Sequence, residues 1–482
     1  MNLLTKELLK EHRTLLLFIS FVAVVRLLLA PHVGLGVDEA HYVLYALNLD
    51  LSYFDHPPLV GWVQYLFTSI FGTGEFGARV SAILIGFFTS IFVYKLIYDI
   101  NKNSTEAFVA LLALHASFLF NALFIMLMPD TLLFLLILPI IFTLIRVEKD
   151  KESTSSWILL GILLGLAGLA KYTAVLFIVP ILLYVIIKKR FDLFVTPKLL
   201  LSIAIALLII SPVIIWNIQN DWSSFAYQSS HVVGESHIKL SRIFKSLGAQ
   251  FGAYNPLLVP LAFYGLYRAL RSKNNQLFLS ALFGLVLISF FTYASLYKTA
   301  LPHWSALFYM IFIPLGSYYM LDISKKYLRV AIVFGLVIGV LAYAELGLKF
   351  IPQPDHKSIH LDIYGWDSIM KRVNSHLKNT QKEAIAVPHW TLASRALYYN
   401  RDFNSTLYLL DDREDQFDIW EDNKSIGKDM LVINTTRFDR DIKEYMKCDT
   451  FRDIDKFDIK LHGNIINTIL VTECKNYKGI KK

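Results

Sequence analysis

The sequence predicts a polytopic α-helical membrane domain over residues 1–350 and a soluble α/β domain over residues 351–482, and three observations carry that fold class. Apolar runs of roughly 15 to 22 residues recur through the first part of the chain, near the length that a hydrocarbon core of about 30 Å demands. Of the 482 residues, 55% are hydrophobic and only 18% charged, a balance that excludes an ordinary soluble protein. Beyond Phe350 the composition changes: Pro352 and Pro354 punctuate the chain, charges become dense, and no spanning run remains.

About eleven runs read as spanning helices. They are Leu15 to Val33, Gly77 to Tyr98, Ala107 to Leu127, Thr131 to Arg146, Trp157 to Ala170, Thr173 to Ile187, Leu199 to Trp216, Tyr254 to Leu270, Leu277 to Tyr297, His303 to Met320 and Tyr327 to Phe350. The first is longer than the apolar core of a signal peptide and has no clean cleavage site after it, so it reads as an anchor. Leu59 to Phe71 is shorter and follows Pro57-Pro58, so it reads as a helix lying at the interface.

Lys and Arg should collect in the cytoplasmic loops of a correctly drawn topology. Lys102, Arg146, Lys149 and Lys151, Lys188 to Arg190, Arg268, Arg271 and Lys273, and Lys325, Lys326 and Arg329 fall in successive alternate loops. The opposite loops carry few basic residues, among them Lys171 and Lys298. The net charge of +8 is therefore mostly topological, and nucleic acid is excluded as a partner. The partner implied by composition is the lipid bilayer, and the compartment is the cytoplasmic membrane.

The C-terminal segment alternates short apolar runs with amphipathic ones, as an α/β domain does. Strands are expected at Ala384 to Val387, Thr406 to Leu410, Met430 to Asn434 and Ile465 to Val471, with helices at Asp367 to Leu377, Thr391 to Tyr399 and Arg440 to Met446. The only cysteines, Cys448 and Cys474, both lie here, and an oxidising compartment would permit their pairing.

Chemistry concentrates directly after the first apolar run. Val37-Asp-Glu-Ala-His-Tyr42 and Tyr53-Phe-Asp-His-Pro-Pro-Leu59 place carboxylates and imidazoles at the edge of the bilayer, where an unpaired charge is costly and usually has a task. On the topology above, Asp38, Glu39, Asp55, Asp130, Lys171, the Trp216 to Ser230 loop and the Lys298 to Trp304 loop share the extracytoplasmic face. Carriers more often set ionisable groups at the bilayer midplane on broken helices. Crowding at one interface suits an enzyme acting on a lipid-anchored substrate. No Walker loop, dinucleotide glycine fingerprint or zinc-spaced Cys/His cluster is present, so nucleotide-driven pumping has no support.

The order of these motifs, with Met128-Pro-Asp130 opening one run and Gly165-Leu-Ala-Gly-Leu-Ala-Lys-Tyr172 closing another, resembles the GT-C glycosyltransferases. Within them it is similar to the bacterial branch of the dolichyl-phosphate-mannose protein mannosyltransferase and lipid A aminoarabinose transferase family. Ser211 to Asn217, Asp221 to Phe225 and His303 to Ala306 add to the likeness, which covers about the first 320 residues, with a looser likeness in Tyr364-Gly-Trp366 and Ala393 to Tyr399. The resemblance implies transfer of a sugar from a polyprenyl-phosphate donor to a lipid, glycan or protein acceptor in the cell envelope, on the outer face of the membrane, with inversion. It implies no cofactor and little or no need of a metal, although the carboxylates and imidazoles of this region would suit a divalent ion.

Such a reaction asks for a carboxylate to take the acceptor proton and for cations to hold the leaving phosphate. The resemblance makes Asp38 the general base and Glu39 its support; the alternative for Asp38 is an N-cap of a helix beginning at Ala40. Asp55, His56, Asp130, Lys171, Lys298 and His303 are the expected substrate-binding residues. Where the family's aminoarabinose branch has Glu-Lys before two prolines, this chain has Asp55-His56, so a lysine facing lipid phosphate is replaced by an imidazole. Asp130 has capping as its alternative, Asp55 and His56 a solvated turn, and Arg26, inside the first span, reads as a partner for a buried acid. A flippase of lipid-linked sugars and a non-catalytic envelope assembly protein are the competing readings.

Overall fold

The structure is a computed structural model that describes residues 10–233, 238–382, 384–420, 425–436 and 441–481. The chain divides into two compact units that interleave along the sequence. One comprises Met1–Leu28, Asp50–Val63 and Arg79–Tyr343; the other comprises Leu29–Leu49, Gln64–Ala78 and Ala344–Lys482.

The first unit is helical. Six helices of the described chain are long and apolar enough to cross a membrane, and shorter apolar helices accompany them. The run expected at 199–216 forms Pro197–Gln219, whose exposed Leu200, Leu207 and Leu208 present an apolar face of the kind that lipid covers. Ala306–Met320 is its opposite, with nearly every side chain buried. Its Gly316 faces the Val259–Leu270 helix so closely that a Cβ would sit 1.8 Å from the carbonyl oxygen of Leu261. Only a residue without a side chain permits that approach.

One expected span is broken. The run from Ala107 to Leu127 forms two helices, Ser104–His115 and Phe118–Leu123, with Ala116 and Ser117 between them. Carbonyls freed at a break inside a membrane domain need internal donors. Asn121 supplies them: its amide donates to the His115 and Ser117 carbonyls at 2.9 and 3.0 Å. Asn255 donates to the Ala116 carbonyl at 3.2 Å. The Thr131 hydroxyl serves Leu123 and Met126. Hydropathy cannot register such a break, because the residues on both sides of it are apolar.

The same asparagine corrects the expectation for Arg26. The guanidinium is 2% exposed, and it donates to the Tyr343 hydroxyl at 2.9 Å and to Asn121 Oδ1 at 3.3 Å, with the Phe124 ring 5.3 Å away. Among the described residues, neutral oxygens and an aromatic face rather than an acid accommodate this charge. The stretch from Trp216 to Ser230, expected as a loop, is also largely helical. Pro197–Gln219 ends in a short turn, and Ser223–Val233 follows.

The second unit holds a five-stranded sheet in the order β2-β1-β3-β5-β4. Strands β1 (Ala384–Val387), β2 (Thr406–Leu409) and β3 (Met430–Thr435) are parallel, and β5 (Asn464–Lys475) runs antiparallel to β3 and to the edge strand β4 (Thr450–Leu461). The central strands are continuous apolar runs, as strands covered on both faces are. Helices Trp366–Thr380 and Trp390–Asn400 pack on the sheet through Ile369, Val373, Ala393 and Ala396. Cys448 and Cys474 form a disulfide with their Cα atoms 5.6 Å apart. Of the helix expected from Arg440 to Met446, Ile442–Tyr445 is observed, and Arg440 lies outside the described residues.

This unit is not built from the C-terminal segment alone. Ala40, Val43 and Leu44 of the Val37–Leu47 helix share one apolar core with Trp366, Ile369 and Ala393. The Tyr399 hydroxyl accepts from the Leu35 amide at 2.9 Å and reaches Glu75 Oε1 at 3.0 Å. Gly34 completes the docking, since a Cβ there would meet the Ile363 carbonyl oxygen at 1.9 Å. Residues more than 300 positions apart thus fix the segment that carries Asp38.

Candidate active site

In the first unit the strongest polar feature is a pair of helix ends. Pro129–Lys149 begins at Asp130's turn, and Thr154–Ala170 ends at Lys171. Lys171 Nζ lies 2.6 Å from Asp130 Oδ1 and 2.7 Å from Oδ2. Both side chains are buried, at 12% and 6% exposure. A carboxylate at a helix N-terminus and an ammonium at a helix C-terminus each oppose the sign of the local dipole, so both helices favour the pair. Capping is not Asp130's task. The backbone N–H of Met128 donates to the Thr131 hydroxyl at 3.3 Å, while both Asp130 oxygens face Lys171.

Two imidazoles add to this centre: His56 and His303 are both within electrostatic reach of the Asp130 carboxylate. His56 Nε2 is 4.0 Å from Asp55 Oδ2, and both residues are only partly exposed. The turn bearing them is anchored from both sides. Gln228 donates to the Asp55 carbonyl at 2.6 Å, and the Tyr53 amide donates to the His56 carbonyl at 3.1 Å. His303 stands in the short 3₁₀ turn Pro302–Ser305, whose Pro302 carbonyl accepts from the buried Tyr254 hydroxyl at 2.7 Å. Lys298 is exposed in the preceding loop.

Asp55, His56, Asp130, Lys171 and His303, spread over 249 positions between the first and last of them, therefore form one charged neighbourhood. Supporting residues lie around it: Asp50 carries no signal in the sequence, whereas Trp216, Tyr172 and Ser224 fall in segments that carry the resemblance. Asp50 accepts from Trp216 Nε1 at 2.8 Å, and its carbonyl accepts from Trp62 Nε1 at 2.9 Å. The Tyr172 and Ser224 hydroxyls are 2.5 Å apart.

Asp38 and Glu39 belong to the other unit, on the first turn of Val37–Leu47. The helix begins at Val37 with Gly36 as its N-cap, so Asp38 is inside the helix rather than capping one that starts at Ala40. The capping role falls to Glu39, whose Oε2 accepts from the Gly36 amide at 3.0 Å and whose side chain is buried. His41, one turn on, packs among Tyr45, Phe417 and Trp420, with Ser394 Oγ 3.4 Å from its Nδ1. Among the described residues no group of three or more His, Cys, Asp and Glu side chains is arranged to hold a metal ion.

The chain is similar to known proteins. Residues 55–216 match the family described as dolichyl-phosphate-mannose-protein mannosyltransferase. A lipid A galacturonosyltransferase, RgtD of Rhizobium johnstonii, is 26% identical over 250 residues. The match covers 50% of this chain and spans about half the length of that relative. Among solved structures, ArnT from Cupriavidus metallidurans bound to undecaprenyl phosphate matches with a TM-score of 0.67 at 13% identity, over 95% of this chain and 98% of that one. Its apo form matches with a TM-score of 0.65, over 95% and 97%. The fold match therefore extends past the first 320 or so residues, through the segments of looser likeness at Tyr364 to Trp366 and Ala393 to Tyr399, and across the C-terminal sheet. The family match thus takes in the Asp55, Asp130 and Lys171 segments, and over 95% of its length the chain has the fold of ArnT.

Proposed function

We propose that the protein transfers a sugar from a polyprenyl-phosphate donor to a hydroxyl or phosphate of an envelope acceptor, on the outer face of the cytoplasmic membrane. The observation that carries this reading is the chemical match between the charged centre of the first unit and a lipid phosphate, set within a fold shared with a protein that was solved with undecaprenyl phosphate bound. The lipid A acceptor named for RgtD makes a lipid A-type glycolipid the first acceptor to try.

In the proposed step the acceptor oxygen attacks the anomeric carbon from the face opposite the phosphate. Asp38 takes the acceptor proton as the new C–O bond forms. The bond from the anomeric carbon to the phosphate oxygen breaks, its electron pair leaves with the polyprenyl phosphate, and the anomeric configuration inverts. His56, His303 and Lys298 donate to the developing phosphate charge, and the Asp130–Lys171 pair fixes the helix ends around it. Glu39 supports Asp38 indirectly, by holding the first turn of its helix through Gly36.

The test is reconstitution of the purified chain with a polyprenyl-phosphate-linked sugar and with envelope glycolipid from a strain lacking this gene. Transfer should release polyprenyl phosphate in step with a mass gain on the acceptor. Movement of intact donor across the bilayer without bond cleavage would replace the enzyme reading with a flippase. Sidedness has a separate check, since a reporter fused after Phe350 should be accessible only from outside the cytoplasm.

A further inference from the structure

The second unit contains a cavity of about 610 Å³ that the proposed mechanism leaves unused. It is walled by His389, Trp390, Arg395, Asp411, Arg413 and Asn467, and Val37, the residue before Asp38, also lines it. Its volume is in the range of small-molecule sites, but its walls are unusually polar for one. Acids and guanidinium groups alternate around it, which disfavours a bare metal ion, a bare phosphate and a hydrocarbon chain alike.

Two side chains give it the character of a built site. Arg395 is 4% exposed and locked: its Nη1 donates to Asp362 Oδ1 at 2.8 Å, its Nε donates to the Thr391 carbonyl at 3.0 Å, and its guanidinium lies 4.6 Å from the Trp366 ring centre. Asn467 is 5% exposed, and its Oδ1 has no hydrogen-bond partner among the described residues. A buried amide oxygen left unmatched costs stability unless a ligand supplies a donor.

Hydroxyl groups both donate and accept, so a ligand rich in them satisfies carboxylate, guanidinium and amide walls together. Trp390 adds a flat aromatic face, with the Arg413 guanidinium 5.5 Å from its ring centre. We infer that this cavity binds a short saccharide, and that it holds the sugar portion of the acceptor beside the first turn of the Asp38 helix. The second half of that statement rests on Asp38 being the base; the first half does not.

Equilibrium binding of full-length protein in detergent tests it, with the water-soluble saccharides released by mild acid from the envelope of a strain lacking this gene as the probe. Wild type should retain saccharide. Trp390→Ala and Asn467→Leu should weaken retention by about tenfold or more. Asn467→Leu removes an unmatched polar atom, so its melting temperature should hold or rise, which separates lost binding from lost folding. Absence of binding to wild type, or equal binding by both variants, overturns the inference. Asp38→Asn should keep saccharide while losing transfer. If Asp38→Asn transfers normally yet binding still depends on Trp390, the cavity stands and the proposed base falls.

Discussion

Lys171 donates to both carboxylate oxygens of Asp130, at 2.6 and 2.7 Å, across two helix ends that are 41 residues apart in sequence. The resemblance implies substrate contact for each residue, and each also has a protein partner in the other. Removing one member leaves the other buried and uncompensated, which costs about 3 to 5 kcal/mol. Asp130→Asn and Lys171→Met should each lower the melting temperature by several degrees, and the Asp130→Leu/Lys171→Met double variant should recover much of the loss. Thermal unfolding checks this. Transfer that stays absent in the recovered double variant would assign the pair a part in the reaction besides its part in folding.

Acid and base should act on the second unit through Asp415. This carboxyl is 7% exposed, its Oδ2 has no hydrogen-bond partner among the described residues, and burial pushes it up to about 7. Asp411, pushed up to about 6, and Asp418 add like charge, while His41 opposes it. A carboxyl raised in the fold binds more protons folded than unfolded. Its burden is therefore absent near pH 4 and grows as pH rises through about 7. Asp415→Asn keeps an acceptor for the Phe417 amide, which lies 2.8 Å from Oδ1. It should raise stability at pH 8 and leave it nearly unchanged at pH 4, as melting curves at the two pH values would read.

The disulfide should matter to the sheet rather than to the chemistry. It links Cys448, just before β4, to Cys474 in β5, across a sequence separation of 26. Closing a loop of that size restricts the unfolded chain by roughly 3 to 4 kcal/mol. Replacing both cysteines with serine should lower the melting temperature of the second unit and leave the KM for donor unchanged. Parallel thermal and kinetic measurements decide it.

Legibility in the sequence followed the physics of each element. The fold class is plain because bilayer thickness and strand burial both write long or continuous apolar patterns, and β1 has the bounds that its apolar run predicts. Strand β4 was not seen: on an edge its residues are half-exposed and alternate acids with lysines, so Thr450–Leu461 looks like a charged loop. Asp38, Asp130 and Lys171 are legible as candidates because a charge beside apolar runs stands out. The contacts of Tyr399 with Leu35 and of Gly34 with Ile363 did not stand out, because long-range hydrogen bonds and close approaches leave no periodic trace. Least legible of all was the debt of the Asp38 helix to the C-terminal sheet domain. That dependence gives the domain a role that none of its own motifs announces.

The central claim is that Asp38 receives the acceptor proton, and the direct measurement is single-turnover transfer by purified wild-type and Asp38→Asn protein, with matched melting temperatures. Wild type should convert donor and acceptor to polyprenyl phosphate and glycosylated product. Asp38→Asn should fold normally and lose transfer by at least about a hundredfold, the scale of a missing general base. Transfer by Asp38→Asn at the wild-type rate would contradict the account.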